Sequence, residues 1–238
     1  MNETINTIVD CVFDIHFESD VVTESFLNTI SKVDSFEEII KLPLHQIPDN
    51  IRKNDPNLKS EPLYEIRSKT NQEYKILVGD NIIGIAILNQ YSSWTNSFFP
   101  KIKEVFETIL DSGKINTISR LGLRYVDFLK NEDIFQTGKI NIDINSSAVN
   151  DKKMFLRIED SVDDISYNKV ITNNVSYVDT LEIGSIIDIV TFVENKLFSI
   201  DDTFSKPDFF DTIDKLHEIN KMKFKEVINN ERIAKYGL

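Results

Sequence analysis

Ile118 to Leu129 is a strand-length run in which apolar residues alternate around two arginines, Ile118-Ser-Arg120-Leu-Gly122-Leu-Arg124-Tyr125-Val-Asp127-Phe-Leu129. Successive side chains of an extended chain point to opposite faces. Arg120, Gly122 and Arg124 therefore share one face, and Leu121, Leu123 and Tyr125 share the other. A chain with such a strand must bury one face and find counter-charges for two guanidiniums on the other, because half-buried arginines need partners. The run Ile8–Glu18 offers them. It sets Asp10, Asp14 and His16 on one face against Val9, Cys11, Phe13, Ile15 and Phe17 on the other.

The remaining patterns place elements around these two strands. Asp20 to Val33 carries a helical stripe of Phe26, Leu27 and Ile30. Phe36, Ile39 and Ile40 suggest a short helix, after which Pro43, Pro48, Pro56 and Pro62 break any long element. Tyr64 to Arg67 reads as a short strand. Tyr74–Gly79 and Ile82–Leu88 bracket Asp80-Asn81 as a hairpin. Phe98, Ile102, Val105, Phe106, Ile109 and Leu110 fall at helical spacing, with Pro100 in the first turn and Gly113 as the stop. In the second half, Lys139–Ile144, Met154–Glu159, Tyr167–Tyr177 and Ile186–Phe192 read as strands separated by Asn/Asp/Ser turns. A long helix follows from about Phe209 to Ile228, with an extension toward Lys235.

The predicted fold class is therefore α+β, with antiparallel sheets in two halves. Residues 1–132 form a ferredoxin-like half in the order strand, helix, strands, helix, strand. Residues 133–238 form a four-strand meander covered by the long C-terminal helix, and the two halves pack as one compact unit. There is no internal sequence match that would make the halves a repeat.

Composition excludes several functions. The net charge is −12, so the chain is repelled by nucleic-acid phosphates and by anionic membrane surfaces unless its cations cluster. Cys11 is the sole cysteine, which rules out an intrachain disulfide and a multi-thiolate zinc site. The N-terminus lacks a basic, apolar leader pattern, and the apolar run at Ile82–Leu88 is too short to span a bilayer. The expected location is cytoplasmic.

The segment Arg120-Leu-Gly-Leu-Arg124-Tyr125-Val-Asp127 resembles a motif of a sporadically distributed, uncharacterised prokaryotic protein family. The opening strand Cys11-Val-Phe-Asp-Ile-His-Phe17, Trp94 followed by Phe98 at the central helix, and the close Leu216-His217 to Phe224 and Ile228 agree with it across nearly the whole chain. His16 departs from the pattern, which more often carries an arginine there. The resemblance implies no established activity. Its sporadic distribution implies genes carried on mobile or antiviral-defence islands.

The residues that could carry chemistry are few. Arg120 and Arg124 could line a groove for a carboxylate, a phosphate or an acidic partner, or could pair internally with neighbouring carboxylates. Gly122 between them leaves room for a ligand or a bulge. Trp94, the sole tryptophan, either anchors the central helix or serves as a binding anchor. His217, Asn220 and Phe224 form one helical stripe, on which His217 is either an acid–base group or a histidine bonded to the sheet. Tyr125 stands on the strand face opposite the arginines.

No metal or cofactor is expected. The three histidines are dispersed, Asp160, Asp163 and Asp164 lack calcium-loop spacing, and neither a phosphate loop nor a Gly-x-Ser-x-Gly elbow is present. Lys215 to Lys235 is locally basic, which keeps RNA binding in view, although no RRM-type aromatic–basic strand accompanies it.

The leading expectation is a non-enzymatic interaction protein that binds a protein partner, with no catalytic set assigned and with a homodimer left open. The recognition candidates are Arg120, Arg124, Tyr125, Trp94 and His217. The alternatives are an RNA- or nucleotide-binding protein of nuclease-like type and a small-ligand sensor, both using the Arg120/Arg124 strand.

Overall fold

The computed structural model describes residues 6–33, 36–68, 73–145, 147–148, 152–177 and 181–233. The elements run β1 (Ile8–Glu18), α1 (Thr23–Ile30), β2 (Phe36–Lys41), α2 (Asp49–Arg52), β3 (Tyr64–Ser68), β4 (Tyr74–Val78), β5 (Ile82–Ile87), α3 (Phe99–Asp111) and β6 (Thr117–Lys130). They continue with α4 (Ile134–Thr137), β7 (Asp143–Ile144), β8 (Ser147–Ala148), β9 (Phe155–Val162), β10 (Ile165–Ser176), β11 (Ile183–Ser199), α5 (Lys206–Val227) and α6 (Asn230–Ile233). The protein is α+β, and its main sheet is antiparallel wherever strand pairing is defined.

The chain divides into two compact units that interleave in sequence. One comprises Met1–Cys11, Leu123–Phe192 and Lys215–Leu238, and the other comprises Val12–Gly122 and Val193–Asp214. Strands β1, β6 and β11 and helix α5 contribute residues to both.

In the unit built on Val12–Gly122, strand order runs β2-β3-β4-β5-β1-β6. β1 pairs antiparallel with β5, with Val12 opposite Ala86 and His16 opposite Ile82. Phe13, Ile15 and Phe17 are buried, as their alternation requires. Helices α1 and α3 cover that face. Phe13 meets Phe106 edge-on at 5.0 Å, and Phe17 meets Phe26 at 5.1 Å. A turn of π-helix at Trp94–Phe98 leads into α3, Pro100 sits in its first turn, and Gly113 closes it at φ 64°.

In the other unit, order runs β1-β6-β11-β10-β9. β9, β10 and β11 form a regular meander, interrupted by a bulge between Thr172 and Val175. Burial alternates along it. Ile165, Tyr167, Lys169, Ile171, Ile187, Ile189 and Thr191 are buried on one face. Their neighbours Ser166, Asn168, Val170, Thr172, Ile186, Asp188 and Val190 are half-exposed on the other. The core joins Leu129, Phe135, Ile171, Ile187 and Ile189 to Phe224, Val227 and Ile228 of α5 and its end. Two side chains fasten the helix. Asn220 Nδ2 donates to the Ile189 carbonyl at 2.8 Å, and Thr191 Oγ1 donates to the Leu216 carbonyl at 3.0 Å.

Three local expectations are corrected. Phe36–Lys41 is a strand and not a helix. Its β-branched Ile39 and Ile40 pair with Ile66 and Glu65, and a sheet edge available for pairing outweighs a weak helical stripe. Lys139–Ile144 supplies only the two-residue β7, which pairs with β8 outside the main sheet; Ile140 and Ile142 instead pack against the core beside α5. α5 ends at Val227 and a separate turn, α6, follows; the extension to Lys235 lies outside the described residues.

Candidate functional site

Arg124 stands on the half-exposed face of β6. Its Nε and Nη2 donate to the two Asp188 oxygens of β11 at 2.9 and 2.8 Å, and Nη1 lies 3.7 Å from Asp10 Oδ2. The two-pronged bond to Asp188 raises the guanidinium further above its ordinary value. Two carboxylates therefore surround one cation, and a phosphate approaching Arg124 would have to displace Asp188 and meet Asp10 as well.

On the opposite, buried face the same strand carries Tyr125 and Asp127. The Tyr125 hydroxyl lies 3.1 Å from His217 Nδ1 on α5, with ring centroids 5.8 Å apart. Burial pushes the neighbouring Cys11 thiol well above its usual value, partly offset by a hydrogen bond with Tyr125. Thr7 Oγ1 donates to Asp127 Oδ1 at 2.6 Å. Burial pushes the Asp127 carboxyl up to about 7 despite that bond. Cys11, Tyr125, Asp127 and His217 thus form a polar set under the helix, tied into structural hydrogen bonds.

Arg120 belongs to the other unit. Its Nη1 donates to Asp14 Oδ1, and its Nε lies 3.4 Å from Glu194. A Cβ on Gly122 would fall 2.6 Å from Arg120 Nη1, so the glycine makes room for the arginine's own head group. His16 Nε2 lies 3.6 Å from Asp14. Burial, then the charges of Arg120 and Lys59, lowers the His16 value to about 4. Burial raises the Asp14 carboxyl, against the pull of Arg120.

Trp94 lies in that same unit, 7% exposed. Its indole N–H donates to Asp214 Oδ1 at 2.7 Å, and its ring stacks on Phe99 with centroids 5.0 Å apart. Both contacts hold the start of α3.

Of the residues singled out by sequence, the structure brings Tyr125 and His217 into direct contact and sets Arg124 on the opposite face of the same strand. Arg120 and Trp94 have their own partners in the other unit. Asp188 and Asp127 escaped the sequence reading. Asp127 shares strand parity with Leu123 and Tyr125, which was a usable signal for burial. Nothing in the pattern around Asp188 distinguishes it from other acidic strand residues.

Among the described residues no group of three or more His, Cys, Asp or Glu side chains could hold a metal ion, and no helix is long and apolar enough to cross a membrane. An open depression of about 450 Å³ is lined by Leu42, Pro43, Leu44, Ile47, Glu61 and Pro62, a mostly apolar set remote in sequence from the residues above. Neither protein-family models nor curated proteins show a match to this chain.

Proposed function

We propose that this chain is a non-enzymatic, cytoplasmic interaction protein that binds a protein partner through the Arg124 face of its meander sheet. The observation that carries this reading is the makeup of that face. Val126, Val170, Ile186 and Val190 stand half-exposed around the Arg124–Asp188–Asp10 ion cluster, and the helix-side residues of the same strands are buried. A flat patch of β-branched side chains around pre-paired charges suits protein recognition, where charge placement sets register and apolar area supplies affinity. The paired carboxylates weigh against a phosphate ligand.

The family resemblance belongs to the same proposal, with the chain as a component of a mobile or defence-type gene set. So does the ferredoxin-like reading of the first half. It is supported by the order β4-β5-β1-β6, with α1 following β1 and α3 following β5.

The test is affinity capture of the tagged chain from its host at low and moderate salt, beside a Val190→Lys variant. A stoichiometric protein partner lost in the variant is the expected result. Recovery of nucleic acid, or of a partner indifferent to Val190→Lys, would overturn the assignment.

A further inference from the structure

β9 is the last strand of its unit's order, and no described strand pairs with its outer edge. It runs eight residues, Phe-Leu-Arg-Ile-Glu-Asp-Ser-Val, in unbroken register with β10, and it contains neither proline nor a bulge. β2, which ends the other unit's order, is interrupted by a bulge between Phe36 and Glu38. A long, regular edge left open is a template for another strand.

The hairpin fixes which backbone groups the edge presents. Val162 and Ile165 flank the two-residue turn Asp163-Asp164, and residues in that position exchange both of their hydrogen bonds. By alternation, Val162, Asp160, Ile158 and Leu156 point their N–H and C=O at β10. Ser161, Glu159, Arg157 and Phe155 point theirs outward. The Ser161 N–H confirms the parity: it donates to its neighbour Asp160 Oδ1 at 2.8 Å.

We infer that the occupant of this edge is β9 of a second copy, paired antiparallel about a two-fold axis through Ile158. In that register Arg157 lies opposite Glu159 of the second copy, and Phe155 lies opposite Ser161 of the second copy. Both are pairs whose backbone groups point outward, so each exchanges hydrogen bonds across the axis, the Ser161 N–H trading its Asp160 acceptor for the Phe155 carbonyl of the second copy. The Arg157 and Glu159 side chains, ion-paired within one strand and each more than half exposed, would form an alternating ring of four charges across the interface. Neighbouring registers fail on charge. An axis through Arg157 sets it against itself, and axes through Glu159 or Asp160 do the same to a carboxylate; like charges directly opposite are destabilising. Phe155, 68% exposed, would gain cover from the second copy's strand. The partner-binding reading above concerns the sheet face, and this inference stands without it.

The test is a charge swap read by analytical ultracentrifugation, with circular dichroism to check folding. The wild-type chain is expected to dimerise in the micromolar range. Arg157→Glu alone and Glu159→Arg alone place like charges opposite each other and should weaken dimerisation at least tenfold. Mixing those two variants, or combining both substitutions in one chain, restores opposite charges and should restore the dimer. A second variant reads the axis directly. Ile158→Cys brings two thiols together at a non-hydrogen-bonded pair, and diamide oxidation should give a disulfide-linked dimer on a non-reducing gel. A wild-type monomer throughout that range, a dimer indifferent to the single substitutions, or no cross-link from Ile158→Cys would overturn the inference.

Discussion

Tyr125 and His217 meet at 3.1 Å between the phenol oxygen and Nδ1, joining the sheet to α5 within one unit. The contact belongs to a docking seam in which Thr191 bonds the carbonyl of Leu216, the residue before His217, and Asn220, one turn further along α5, bonds the Ile189 carbonyl. A buried polar contact of this kind adds modest net stability and costs more when only one partner is removed. Tyr125→Phe is expected to lower stability by about 1 kcal/mol, and His217→Ala by somewhat more, since it also removes ring packing. Urea denaturation checks both. An unchanged midpoint for Tyr125→Phe would mean that the hydroxyl is not held by the histidine.

The Arg124–Asp188 fork sets up a double-mutant cycle. Asp188 is 22% exposed and Arg124 43%, so solvent screens the pair and the coupling should come out near 1 kcal/mol. Arg124→Ala and Asp188→Asn are therefore each destabilising, and the double variant less so than their sum. A coupling of zero would mean that the fork adds nothing to stability in solution.

Asp127 gives a pH-dependent prediction with a definite sign. Its folded value, about 7, lies above the unfolded carboxyl value of about 3.9. The folded state then holds the proton more tightly. Its contribution is fully present below the unfolded value and is lost as pH rises from about 4 through about 7. The loss is on the order of 4 kcal/mol at most. His16 acts in the opposite sense. With its folded value lowered to about 4, its contribution is present above about 6.5 and is lost as pH falls from there toward 4. Asp127→Asn should remove most of the falling limb, leaving the part that the raised Asp14 carboxyl contributes, and bring out the rising one. Urea midpoints from pH 4 to 8 check this, and parallel curves for wild type and variant would refute the burial of a protonated Asp127.

Trp94 is the sole tryptophan and 7% exposed, so its fluorescence reports one site. Emission should lie to the blue of free tryptophan and resist iodide quenching in the native state. Asp214→Ala removes the indole's acceptor and is expected to cost about 1–2 kcal/mol while leaving the emission blue. A red-shifted native emission would mean that Trp94 stands exposed, as a binding anchor would.

Much of this arrangement was legible in the order of residues. The face of each strand in β1, β6 and β10 follows from alternation, because a side-chain period of two leaves one consistent way to bury Phe13, Leu123 and Ile171. The hairpin of β4 and β5 and the stop at Gly113 follow from local turn chemistry. Phe36–Lys41 is ambiguous in sequence because six residues carry too little periodicity to separate a strand from a helix, and the pairing that decides it comes from β3, more than twenty residues later.

Composition and alternation establish an acidic α+β protein with two arginines on one face of a long strand and Tyr125 on the other. The pairing of Arg124 with Asp188, of Arg120 with Asp14 and of His217 with Tyr125 arises only in the folded chain. The difference lies in range. Alternation and capping act over a few residues, whereas an ion pair or a helix–sheet hydrogen bond joins groups that are sixty or more positions apart. In a chain with 39 acidic side chains, nothing local tells which of them will stand beside a given arginine.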